Sequence, residues 1–176
     1  CPLQLQKAYY AAAEQYFQAE DYDTAAEYFL LAGDYSDAYR RATGCLYAPA
    51  VAAMEEGDYA RAASMLEKIQ GYQDSKALLT ECIYQQGAAL MENEDYEGAI
   101  AFFEQVPDLQ KAQEALQECV YRPAKALMTE GQYLEALALF ETIAGYQDTD
   151  NYINQIRYEQ AMSSMAGTMR RMMEEM

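Results

Sequence analysis

One phrase returns every 37 residues along this chain, without an insertion or a deletion: an aromatic, an Ala three places on and a large apolar residue four places beyond that. Tyr22, Tyr59, Tyr96 and Tyr133 form the first column, Ala25, Ala62, Ala99 and Ala136 the second, and Phe29, Leu66, Phe103 and Phe140 the third. Further columns hold Ala32, Ile69, Val106 and Ile143; Cys45, Cys82 and Cys119; Tyr10, Tyr47, Tyr84, Tyr121 and Tyr158; and Met54, Met91, Met128 and Met165. A fixed period of this length restricts the fold sharply. Each unit is one supersecondary element that cannot bury its own apolar face, so neighbouring units must cover one another.

The spacing inside a unit is helical. Tyr59, Ala62, Ala63, Leu66 and Ile69 stand at i, i+3, i+4, i+7 and i+10, which is one apolar face of a short helix over 59–70. A longer helix follows the mark "GYQD". It is expected to start from Asp74 or Ser75, whose side-chain oxygen can accept a bond from a first-turn N–H, and to run through Leu78, Cys82, Tyr84, Gly87 and Met91. Asp37 and Asp148 share the Asp74 column; Lys111 does not, so the third copy is expected to cap from Asp108, just after Pro107. Gly71 is expected to close the short helix in the left-handed conformation, which glycine reaches at little steric cost. Pro49 and Pro123, two residues after Tyr47 and Tyr121, are expected to kink or break their long helices, because proline removes an N–H and crowds the carbonyl four residues back. Gln86 and Gln160 hold that place in the other copies.

The "GDY" spelling, followed by Ala and then an aromatic four later, resembles the tetratricopeptide repeat. That family sets a small residue in its first helix, Gly at the turn, Tyr just after it, and Ala plus a bulky aromatic in its second helix. Here those columns are Ala50, Gly87, Ala124 and Ala161; Gly57 and Gly131; and Tyr59, Ala62 and Leu66 with their counterparts, over about residues 10 to 166. This sequence departs from the family in its period, in the Gly-Tyr-x-Asp mark that replaces the unit-closing Pro, and in Glu20 and Glu94, which stand at the turn glycine. Its "F…GYxDS" spelling is similar to that of divergent arrays in Gram-positive gut bacteria, a likeness that brings no assigned activity. The resemblance implies an all-α fold, a right-handed α-solenoid of alternating short and long helices. The expected organisation is one repeat domain over 1–176, with a partial unit 1–21, repeats 22–58, 59–95, 96–132 and 133–169, and a terminal cap 168–176. That last stretch sets Met169, Met172, Met173 and Met176 on one helical face, so a dimer contact and a severed next unit stand beside capping.

Charge and composition narrow the function. A net charge of −17 repels a phosphate backbone and an anionic membrane surface, which points to a neutral or basic protein or peptide as partner. No apolar run approaches the roughly 20 residues of a membrane span. The opening Cys1-Pro2 is read as a processed or excised form, either cytoplasmic or the soluble part of an anchored bacterial protein. Histidine is absent, which removes the commonest general base and metal ligand at neutral pH. Cysteines that recur once per unit are held apart by packed helices at about 8–10 Å, too far for zinc or a disulfide, so they are expected as buried inert thiols. The run "ENEDYEG" lacks the alternating ligands of a calcium loop.

These observations lead to an interaction or scaffold module with no catalytic residues, metal or cofactor. The alternative is a spacer or assembly domain that oligomerises through its ends and its Met-rich tail. By the resemblance, Tyr47, Tyr84, Tyr121 and Tyr158 map to a concave face beside Met54, Met91 and Met128; inter-repeat packing is the competing reading of the tyrosines. Specificity is expected from columns that change polarity: Val51, Ala88, Lys125 and Met162, then Glu55, Glu92, Thr129 and Ala166. Glu14, Glu55 and Glu92 make the N-terminal half of that stripe acidic.

Overall fold

A computed structural model describes residues 2–175; Cys1 and Met176, and the readings attached to them, lie outside the described residues. Among the described residues every regular element is a helix, and long and short helices alternate strictly. The long helices are α1 (Pro2–Gln18), α3 (Ala38–Glu55), α5 (Ser75–Glu92), α7 (Gln110–Thr129) and α9 (Thr149–Glu174). Between them lie α2 (Tyr22–Ala32), α4 (Tyr59–Glu67), α6 (Tyr96–Phe103) and α8 (Tyr133–Thr142). Two compact units part between Ala89 and Leu90, inside α5.

Three of the four short helices start from a capping aspartate. Asp21, Asp58 and Asp95 cap α2, α4 and α6 by accepting from the backbone N–H of Thr24, Arg61 and Gly98 at 3.2, 3.1 and 3.0 Å, each worth about 1 kcal/mol. Gln132 takes that place before α8 without a side-chain bond. The residue before each cap is left-handed, with φ of 61° at Glu20, 81° at Gly57, 61° at Glu94 and 79° at Gly131. A Cβ at Gly57 or Gly131 would meet nothing within 4 Å, so the backbone turn alone sets the preference for glycine. Glu20 and Glu94 hold the same turn against the strain of a side chain. Glu94→Gly should therefore raise stability by about 1 kcal/mol, read as a higher urea midpoint at unchanged slope. An unchanged midpoint would remove the strain from this account.

In the first unit, Ala13, Ala25, Ala26, Phe29, Leu46, Ala50, Leu66, Ile69 and Cys82 belong to one buried cluster. The second unit buries Tyr121, Ala124, Ala136, Phe140, Ile143, Ile153 and Ile156 together. The repeated columns thus supply the core of each unit. Ala25, Ala62, Ala99 and Ala136 have no exposure at all, nor do Phe29, Leu66, Phe103 and Phe140.

Three local expectations are corrected. Gly71 is not left-handed; Gln73 is, at φ 45°, as are its column mates Ser36 at 56° and Gln147 at 47°. A Cβ at Gly71 would meet only the Tyr39 hydroxyl, at 3.2 Å, the tip of a side chain that is 48% exposed and free to move aside. Asp108 does not cap α7. The bond from Leu109 N–H to the Val106 carbonyl, at 3.0 Å, puts Pro107 and Asp108 in the middle of a turn, and Leu109 is the capping residue. Neither Pro49 nor Pro123 breaks its helix. Buried residues on both sides of each proline, Leu46 and Ala50 in α3 and Cys119 and Ala124 in α7, hold the helix against the core through the lost bond.

Candidate interaction surface

The Tyr47 column is tied into the helix packing by its hydroxyl. Tyr10, Tyr47 and Tyr121 donate to Asp37, Asp74 and Asp148, each 27 residues on, at 2.6, 2.6 and 2.5 Å. The aspartates stand just before α3, α5 and α9, so each link staples one long helix to the start of the next. Each ring also meets a second tyrosine edge-on: Tyr10 with Tyr35 at 5.5 Å, Tyr47 with Tyr72 at 5.3 Å and Tyr121 with Tyr146 at 5.7 Å. The aspartates expected as side-chain caps at 37 and 148 spend their carboxylates on these phenols and make no capping bond.

Ionisation follows from the links. Hydrogen bonding to Asp37 and to Asp74 pushes the Tyr10 and Tyr47 hydroxyls above the ordinary tyrosine range, and burial reinforced by Asp148 does so for Tyr121. The Tyr10 and Tyr121 hydroxyls in turn hold Asp37 and Asp148 below the usual carboxylate range. A tyrosine whose pKa is raised by folding stabilises fully below its unfolded value and loses that contribution as pH rises through the folded one. The tyrosine contribution should therefore hold to about pH 9 and be lost above about pH 10, on top of a decline that the buried Cys82 and Cys119 thiols, also raised by folding, begin at about pH 8.5. The measurement is the urea midpoint against pH, and Tyr121→Phe should make the alkaline decline shallower. An equal decline in the variant would detach it from this tyrosine.

The other expected site residues divide between the units. In the first, Tyr47, Val51, Met54, Tyr84 and Ala88 are half-buried and Glu55 is exposed. In the second, Met91 and Tyr121 are buried and Met128 half-buried, while Glu92, Lys125, Tyr158 and Met162 are exposed. Glu92 accepts from Arg122 at 3.3 Å, and Arg122 also pairs with Glu118 at 2.9 Å. The Lys125 ammonium lies over the rings of Tyr121 and Tyr152 at 5.3 and 5.9 Å. Burial pushes Glu118 up, but Arg122, Tyr146 and Gln147 outweigh it and its carboxyl falls below the ordinary range. The perturbed carboxylates and phenols are thus accounted for by links within the helix packing.

The cysteines have the character expected of them. Cys45, Cys82 and Cys119 are free and buried, and burial pushes the Cys82 and Cys119 thiols up to about 11. Such thiols carry almost no thiolate at neutral pH and are poor nucleophiles. Among the described residues, no group of three or more His, Cys, Asp or Glu is placed to hold a metal ion. Among the same residues, no helix is long and apolar enough to cross a membrane.

An open cleft of about 600 Å³ lies in the second unit, between the first turn of α8 and the middle of α9. Tyr133, Leu134 and Glu135 form one wall, and Ile156, Glu159 and Ser163 the other. Tyr133 and Leu134 are 43% and 69% exposed, as Tyr22 and Leu31 are on α2 at 42% and 57%, but here the two apolar side chains line a cleft together. The corresponding cleft of the first unit, lined by Glu20 to Asp23 and Pro49, measures about 190 Å³ and is walled by Arg61 from the following short helix. Sequence reasoning missed the α8–α9 cleft. The signal was available: where the other copies have Asp23, Ala60 and Glu97, this one has Leu134. No protein-family model and no curated protein matches the chain.

Proposed function

We propose that this chain is a non-catalytic protein-interaction module, a right-handed solenoid of tetratricopeptide-like helix pairs that holds a neutral or basic peptide segment. The repeated residues support the solenoid. Phe29, Leu66 and Phe140 are all fully buried, and the tyrosine-to-aspartate staple recurs at one spacing. Because packing uses the repeated columns, recognition falls to residues that do not repeat.

The observation that carries the reading is the α8–α9 cleft, with Leu134 as its exposed apolar anchor and Glu135 and Glu159 as its acidic rim. A helix or extended segment with one large apolar side chain flanked by Lys or Arg would satisfy both features, in a chain whose net charge of −17 steers cations toward it. The test is selection of short peptides on the purified protein. Peptides of that composition should emerge, bind at least about tenfold more weakly to Leu134→Lys, and be indifferent to Glu55→Lys with Glu92→Lys. Binding that survives Leu134→Lys and is lost with the two glutamates would move recognition to the long-helix stripe. Spacer or assembly function is the second reading, favoured by the exposed methionines of α9.

A further inference from the structure

α9 does not stop where the other long helices stop. By the repeat register Ala166 corresponds to Glu55, Glu92 and Thr129, at or beside which α3, α5 and α7 end, yet α9 runs on to Glu174. Position 170, where the tyrosine column would open another short helix, is Arg170 within unbroken helix. Among the described residues, none covers the side of α9 that the repeat register turns toward a following unit. Tyr158 is 66% exposed where its counterpart Tyr121 is 5%, and Met165 is 61% exposed where Met91 is 9%.

The exposed residues fall into a pattern. Tyr158, Met162, Met165, Met169 and Met172 are spaced alternately by four and three, the a and d positions of a heptad, and all are between 49% and 66% exposed. Tyr158, Met162 and Met165 keep the spacing that Tyr47, Val51 and Met54 have in α3, and Met169 and Met172 carry it one heptad further, which makes a stripe of about two heptads on which two helices can wind around each other. Methionine, flexible and polarizable, fits a seam whose partner positions are themselves methionine. Charge favours the same site. Arg157, Arg170 and Arg171 balance Glu159, Glu174 and Glu175, so this stretch is neutral in a chain of net charge −17 and is where self-repulsion between copies is weakest.

We propose that the protein forms a homodimer through α9, the Tyr158–Met172 seam of one copy packing against the same seam of a second. A following short helix of the repeat's own kind would have to begin where α9 is still helical, and a symmetric pair covers both seams in one closed contact. The inference is independent of the peptide cleft. At 100° per residue, Ile156, Gln160 and Ser163 face about half a turn away from the seam, so cleft and dimer can fail separately.

Sedimentation equilibrium over a wide concentration range tests this, with circular dichroism confirming that each variant keeps its helix. The mass should rise with concentration from 19.9 kDa to twice that value. Met165→Lys with Met169→Lys should stay at 19.9 kDa throughout, and Met165→Leu with Met169→Leu should dimerise about tenfold more tightly. A wild type that stays monomeric at every concentration overturns the proposal. So does a dimer indifferent to the lysine pair, or a leucine pair that associates no better than wild type.

Discussion

Phe140→Ala is expected to lower stability by about 3–5 kcal/mol, a large share of the roughly 5–15 kcal/mol that holds an ordinary domain together. Its ring is fully buried in α8, stacked on Tyr152 at 5.1 Å and tilted against Tyr121 at 6.2 Å. Removing it costs the transfer of an aromatic side chain and leaves a cavity whose walls are held by the Tyr121–Asp148 link. Leu134→Ala on the same helix is the control: at 69% exposure it should shift stability by less than about 0.5 kcal/mol. Phe29→Ala should match Phe140→Ala, because Phe29 is equally buried and meets Tyr10 edge-on at 5.3 Å. Urea unfolding measures all three. A loss below about 1 kcal/mol at Phe140 would mean that this column is not the core.

Ala99→Leu tests the opposite failure. The alanine column has no exposed surface in any of its four copies, and each alanine sits on a short helix packed against its neighbours. Three added carbons have nowhere to go without pushing α6 off α7, an overpacking cost of about 1–3 kcal/mol. Ala101→Leu, on the exposed side of α6, should be nearly neutral. An unchanged melting midpoint for Ala99→Leu would show that the alanines are not where helices approach one another.

Much of this architecture was legible because repetition separates structural from incidental residues. Tyr59, Ala62 and Leu66 announced α4, though it ends at Glu67 before Ile69, and the Asp74 column announced the starts of α3, α5 and α9. What stayed illegible was conformation that several residue types can adopt. Gly71 looked like the left-handed residue, but a left-handed Gln73 is affordable once Tyr72 and Ser75 close the turn around it with bonds of 2.9 and 3.0 Å. Prolines predict a break only when nothing else holds the helix, and in α3 and α7 the buried face does. The site was harder to see. Tyr47 alone suggests a groove residue and Asp74 alone a cap, whereas their constant separation of 27 residues allows them to be one hydrogen bond. Leu134 and the methionines of α9 beyond Met165 escape a search for repeats because no other copy has them; Tyr158 and Met165 stand in repeated columns and differ only in being exposed.

The central claim is that the 37-residue period places equivalent residues in equivalent environments, and that surfaces left open are those the period does not cover. Residue-resolved amide hydrogen exchange at low protein concentration tests it most directly. The slowest amides should recur at the repeat spacing, around Phe29, Leu66, Phe103 and Phe140, and protection should fall along α9 beyond Ile156. Slow amides scattered without that period, or a second half of α9 as protected as α7, would contradict it.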